Sequence, residues 1–172
     1  AVGQIALDTN TTGSGNTAIG RGAMEGNTTA SNNTAVGINA LAVNTDATGN
    51  VAVGAAALNQ TTGQNNTAVG TFTMDANTTG QLNTGIGRGA LGANTSGNEN
   101  TALGGSALDA NTTGDANTAV GVDALGSNTT ASNNVAMGRS ALAANTTGAN
   151  NTALGRLTLT QSTTASNNTA VG

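Results

Sequence analysis

Aliphatic residues recur along this chain at two fixed offsets of a 17-residue period, and the polar residues between them recur with equal regularity. The Gly that closes each Ala-aliphatic-Gly triplet marks the period. It stands at Gly3, Gly20, Gly37, Gly54, Gly70, Gly87, Gly104, Gly121, Gly138, Gly155 and Gly172, so the spacing is 17 everywhere except the 16 between Gly54 and Gly70. Ten units therefore fill residues 4–172 of the form x-x-A-L-x-x-N-T-T-G-x-x-N-T-A-V-G, and residues 1–172 form a single repeat array. Position four is Leu or Met in every unit, from Leu7 and Met24 to Leu159, and position sixteen is always aliphatic or Met, from Ile19 to Val171. Position fourteen is Thr, or Val at Val51 and Val135.

The elements follow from these columns. In Thr-Ala-Val the first and third residues point one way and the Ala the other, the period-two signature of a strand. A second short strand is predicted through Ala-Leu, with turns at Asn-Thr-Thr-Gly and after the closing Gly. Seventeen residues at roughly 3.3 Å each make a loop of about 55 Å, one flattened coil of two strands and two turns. Asn-Gly, the strongest hairpin signal, never occurs. The fold class is therefore all-β, a parallel β-solenoid of ten 17-residue coils. The short unit, residues 55–70, reads as lacking the Asn of Asn-Thr-Thr, with the columns resuming at Thr61 and the loss absorbed in a turn.

Two further columns carry expectations about packing. Position thirteen is Asn16, Asn33, Asn50, Asn66, Asn83, Asn100, Asn117, Asn134, Asn151 and Asn168, ten amides placed to form a continuous ladder. Position fifteen is Ala18, Ala35, Ala52, Ala68, Gly85, Ala102, Ala119, Ala136, Ala153 and Ala170. With the Leu and aliphatic columns both expected inward, this small-residue column faces outward. It is then a strip for close inter-chain packing, and it points to self-assembly because a single stack this thin has little core.

Composition narrows the function. Four small residue types, 32 Ala, 32 Thr, 26 Asn and 26 Gly, make up most of the chain, which lacks Cys, His, Lys, Pro, Trp and Tyr. Without imidazole, thiolate or amine there is no nucleophile–base pair and no Cys/His metal site, so the expectation is a non-enzyme with no cofactor and no metal. The six Asp are scattered over several columns, unlike a recurring calcium-ligand ladder. Four Arg against eight acids give a net charge of −4, so nucleic acid is not an expected partner. No apolar run is long enough to insert in a membrane. Gly85-Ile86-Gly87-Arg88-Gly89 has the look of a phosphate loop but lies in register with the other units. Triplets such as Asn27-Thr28-Thr29 fit the glycosylation sequon as a by-product of the repeat. The chain begins and ends on Ala-Val-Gly in mid-pattern, and reads as a segment of a longer fibre.

At the strand motif the chain resembles the head repeats of YadA-like trimeric autotransporter adhesins, whose motif is Asn-Ser-Val-Ala-Ile-Gly. It has Gly-Asn-Val-Ala-Val-Gly at Gly49 to Gly54 and Asn-Asn-Val-Ala-Met-Gly at Asn133 to Gly138, with Thr replacing the first Val in the other units. Related repeats occur in phage tail fibres and other surface fibres. The resemblance spans all ten units, although the family's repeats commonly run shorter than 17. It implies a left-handed β-roll, a homotrimer, and an extracellular place at the surface of a cell, anchored in an outer membrane, or on a virion fibre. The expected role is adhesive or structural: stacked coils extend a rod and present repeated loops to a surface receptor or matrix, with avidity from repetition. Two alternatives stand beside it, an ice-binding solenoid using the Thr column at position eight (Thr11, Thr28, Thr45, Thr61 and onward) and a passive matrix filament or tail-fibre shaft. Adjacent Thr residues at positions eight and nine argue against a flat Thr-x-Thr array.

Overall fold

The computed structural model describes residues 1–172. Each coil contributes one three-residue strand: β1 (Thr17–Ile19), β2 (Thr34–Val36), β3 (Val51–Val53), β4 (Thr67–Val69), β5 (Thr84–Ile86), β6 (Thr101–Leu103), β7 (Thr118–Val120), β8 (Val135–Met137), β9 (Thr152–Leu154) and β10 (Thr169–Val171). These strands form one parallel sheet in chain order. Equivalent residues pair from coil to coil, as in Thr101 with Thr118, Ala102 with Ala119 and Leu103 with Val120. The molecule is an all-β parallel solenoid, as the 17-residue period predicts.

The Ala-Leu segment does not form the expected second strand; it is a run of turns. Its Leu or Met lies in the left-handed region in all ten coils, with φ between 48° and 54°. A strand sends consecutive side chains to opposite faces, yet Ala90 and Leu91 are both fully buried, as are their counterparts through most of the stack. The left-handed Leu is what turns both neighbours inward. Its conformation costs roughly 1–2 kcal/mol, offset by full burial of a Leu side chain at about 1.5–3 kcal/mol.

The alternation within the strands is as read from the sequence, but the faces are reversed. Ala18, Ala35, Ala52, Ala68, Gly85, Ala102, Ala119, Ala136 and Ala153 are buried inside their own chain, and only Ala170 in the last coil is half-buried. The aliphatic column faces outward, with Leu103 at 45 % exposure against 0 % for Ala102. The expected outward strip of small residues is therefore the inner wall of the coil, closed to a neighbouring chain. The reason is width. A Cβ on Gly85 would lie 3.1 Å from Met74 Cε and 2.8 Å from Thr73 Cγ2. In that coil the space facing the Leu/Met column does not take even a methyl group without a shift, and the other coils fill it with the methyl of Ala, so the bulky residue of each strand goes outside. Gly85, the column's exception, faces Thr73, which stands at position three where eight coils carry Ala.

Wherever a further coil follows, the closing Gly of the unit is required by a close approach. Gly37 has φ 140°, and a Cβ there would sit 2.4 Å from the Gly54 carbonyl oxygen. The short coil keeps β4 in register with both β3 and β5, so its missing residue is absorbed in the turn. The gap lies at position nine, however, and not at the Asn. Thr61 is buried in the place of that Asn, and Thr62 takes position eight, its hydroxyl donating to the Thr78 carbonyl at 2.9 Å, as Thr78 does to Thr95 O and Thr95 to Thr112 O.

Candidate functional site

A large part of the interior is polar, mostly Asn, and it is organised into hydrogen-bonded columns. At position thirteen the Asn100 backbone N–H donates to Asn83 Oδ1 at 2.9 Å, and the Asn100 amide donates to the same oxygen at 3.2 Å and to the Gly114 carbonyl at 2.8 Å. The Asn117 N–H donates in turn to Asn100 Oδ1 at 3.0 Å. Because a backbone N–H can only donate, each bond fixes which amide atom is the oxygen. Backbone-to-amide bonds of this kind link Asn16, Asn33, Asn50, Asn66, Asn83, Asn100, Asn117, Asn134, Asn151 and Asn168 without a break.

A second ladder, at position seven, was not read from the sequence. Asn94 donates to Asn77 Oδ1 at 2.8 Å, Asn111 to Asn94 Oδ1 at 2.9 Å, and Asn128 to Asn111 Oδ1 at 2.9 Å. The two ladders meet at the position-ten carbonyl. Gly80 O accepts from Asn77 of its own coil at 3.0 Å and from Asn66 of the preceding coil at 2.9 Å. The available signal was the recurrence of Asn at position seven, masked because Asn-Thr-Thr-Gly has the composition of a turn. Thr61 continues this ladder by accepting from Asn77 at 3.1 Å. Ser162 does not, and Asn145 Oδ1 beneath it has no partner.

These bonds decide what the surface offers. The sequon residue Asn27 is fully buried, with its amide donating to Asn10 Oδ1 and the Ala30 carbonyl, so that nitrogen is closed to modification in the folded chain. The position-eight Thr hydroxyls donate along the stack, Thr95 to Thr112 O at 2.9 Å and Thr112 to Thr129 O at 3.0 Å. Their protons serve the backbone of the next coil and do not face an external lattice.

The outer face of the sheet is what remains. Position sixteen presents Ile19, Val53, Val69, Ile86, Leu103 and Met137 at 36–45 % exposure, with position fourteen, mostly Thr, beside them. Parallel pairing holds these side chains in straight rows from one end of the array to the other. Polar surface is scattered by comparison. One cleft of about 320 Å³ is lined by Ser106, Asp109, Asp123, Gly126, Ser127 and Ala143. No group of three or more His, Cys, Asp or Glu is placed to hold a metal ion.

The carboxylates on this side perturb one another. Burial pushes the Asp109 carboxyl above the ordinary range, helped by Asp123 and opposed by Arg88. Asp75 is raised by burial and, more weakly, by Asp109. Gly92 lies between the two; a Cβ on it would be 2.7 Å from Asp109 Oδ1 and 3.8 Å from Asp75 Oδ1. A raised carboxyl binds its proton more tightly in the folded than in the unfolded chain. The folded state is therefore penalised progressively as pH rises from the ordinary carboxylate value through the raised one, and the penalty persists at neutral pH. Asp109→Asn is expected to raise the thermal midpoint near pH 7 and to leave it almost unchanged near pH 3, where both forms are neutral. Scanning calorimetry at the two pH values checks this; equal effects would refute it.

No family model matches the chain, and comparison with curated proteins and with solved structures gives no significant match.

Proposed function

We propose that this chain is a structural and adhesive segment of an extracellular surface fibre, self-associated as a homotrimer and extending a rod that presents its repeated corners multivalently to a receptor or matrix. The observation that carries the reading is the uninterrupted column of aliphatic residues and Met137 at position sixteen, part-exposed on the outer face of one continuous parallel sheet. Scattered exposed aliphatics are ordinary on soluble proteins, whereas a contiguous row of this length marks a surface that is covered in use. The occupant with matching geometry is another copy of the chain, whose own rows repeat at the same coil spacing. Three such faces turned inward bury the rows around a common axis and leave the corners outside. The interface so assigned is the aliphatic face; the Ala column lies behind it. Reach and avidity then follow from the stacking of identical coils, and no chemistry on a substrate is part of this role.

Light scattering and native mass measurement test the association. The unmodified chain is expected to run as a trimer, and the pair Leu103→Glu with Val120→Glu as a monomer that keeps its β circular dichroism. A stable folded monomer of the unmodified chain would overturn the reading. Thermal hysteresis in that monomer would assign the same Thr-and-aliphatic face to ice instead.

A further inference from the structure

One boundary in the stack makes none of the corner bonds of which every other boundary makes at least three. Between the coils 88–104 and 105–121, the corner at positions seven to nine is closed by four bonds. Thr95 N–H and Ser96 N–H both donate to the Thr112 carbonyl, at 2.9 and 3.1 Å. The Thr95 hydroxyl donates to the same oxygen at 2.9 Å, and Asn111 donates to Asn94 Oδ1 at 2.9 Å. Between the coils 38–54 and 55–70 none of the four is made. Thr45 N–H and Asp46 N–H have no protein acceptor. The Thr45 hydroxyl turns to Asp46 Oδ1 at 3.3 Å, and Asn44 Oδ1 accepts from its own Ala47 N–H at 3.1 Å. With Asn44 drawn into its own turn, Asn27 Oδ1 below it is buried without a partner.

The cause is the 16-residue coil. Lacking position nine, its corner reaches Gly63 one residue early, and the Thr62 carbonyl does not meet the N–H groups of the coil before it. The coil after it is unaffected, since Thr62 N–H donates to Thr78 O at 2.7 Å. The sheet side of the same boundary is also complete: β3 pairs with β4, Asn66 N–H donates to Asn50 Oδ1 at 2.9 Å, and Asn50 donates to Gly63 O at 2.9 Å.

We propose that the short coil builds a one-sided hinge into the rod, a seam between residues 44–47 and 61–63 that opens first, pivoting on the intact β3–β4 pair and the Asn50–Asn66 bond. Stability in a solenoid is the sum of nearest-neighbour interfaces, so a boundary lacking one edge is where local opening concentrates. The remaining bonds nearest the seam report the motion. Val43 N–H donates to Asn59 O at 2.9 Å, the same length as its counterpart from Ala93 N–H to Asp109 O. Static geometry alone predicts equal protection for these two amides; a hinge predicts that Val43 exchanges faster.

Amide hydrogen exchange on the full chain tests the seam. Val43 is expected to exchange at least about tenfold faster than Ala93, with Thr45 and Asp46 unprotected beside well-protected Thr95 and Ser96. Inserting Thr between Thr62 and Gly63 restores a 17-residue coil and is expected to bring Val43, Thr45 and Asp46 to the protection of Ala93, Thr95 and Ser96. Deleting Thr113 is expected to move a second seam to Ala93, Thr95 and Ser96. Equal protection of Val43 and Ala93 in the unmodified chain overturns the proposal, as does fast exchange that survives in a folded insertion variant. Should the insertion variant not fold, the deletion decides: undiminished protection at Ala93, Thr95 and Ser96 overturns it.

Discussion

Ala102→Glu is expected to unfold the array, while Leu103→Glu, one residue along the same strand, leaves the chain folded. Ala102 is fully buried in the core with the Leu column, and at Gly85, its neighbour in the same column, even a Cβ would come within 2.8 Å of Thr73 Cγ2. A carboxylate there is both overpacked and unpaired, and together these place the cost above about 4 kcal/mol. Leu103 is 45 % exposed, so a Glu on it reaches water, and the effect on the fold of one chain is expected to be within about 1 kcal/mol. Far-ultraviolet circular dichroism with thermal melting separates the two. Comparable loss of structure in both variants would show that the aliphatic face is needed for the single chain to fold, and would refute the inside-out assignment.

The second large effect belongs to the amide ladder. Asn100→Asp is expected to be strongly destabilising near pH 7 and to recover on acidification. A carboxylate in this position still accepts from Asn117 N–H, but one of its oxygens faces the Gly114 carbonyl and Asn83 Oδ1, where Asn100 places a donor. The ionised form is buried opposite acceptors and costs on the order of 3 kcal/mol or more. Protonation supplies an O–H that donates to Gly114 O in place of the amide. Burial raises the folded-state pKa of this Asp, so stability rises as pH falls through that value and levels off below the unfolded value. Asn100→Ala, which leaves Asn117 N–H without its partner, is expected to cost about 2–4 kcal/mol at either pH. Melts of the two variants at both pH values are the measurement. An Asn100→Asp chain whose stability is independent of pH would show that the ladder does not depend on donors at this position.

The period, the parallel stacking, the alternation within each strand and the absorption of the short unit in a turn were all legible in the residue columns. Each depends only on spacing, and spacing is a property of the chain. Which side of the strand faces inward was not legible. Thr101-Ala102-Leu103 has the same alternation whichever way it turns, and the usual rule sends Leu in. The outcome depends on the distance between the strand and the Leu91 column, a tertiary quantity set by a left-handed backbone that returns the chain sharply after each Gly. The same backbone removed the expected second strand, because Leu has no intrinsic preference for positive φ that a sequence reading detects. Position-thirteen Asn was readable as a ladder because it precedes a strand whose register stacks it. Position-seven Asn was not, because an amide in a turn ordinarily bonds its own backbone, and only the superposition of ten coils brings Asn77, Asn94 and Asn111 within reach of one another. The location of the missing residue was decided in the same way. The letters Gln60-Thr61-Thr62-Gly63 allow the gap at either position, and the coil places it where a buried hydroxyl at Thr61 stands in for an amide toward Asn77 and the residue dropped is an exposed one of the corner.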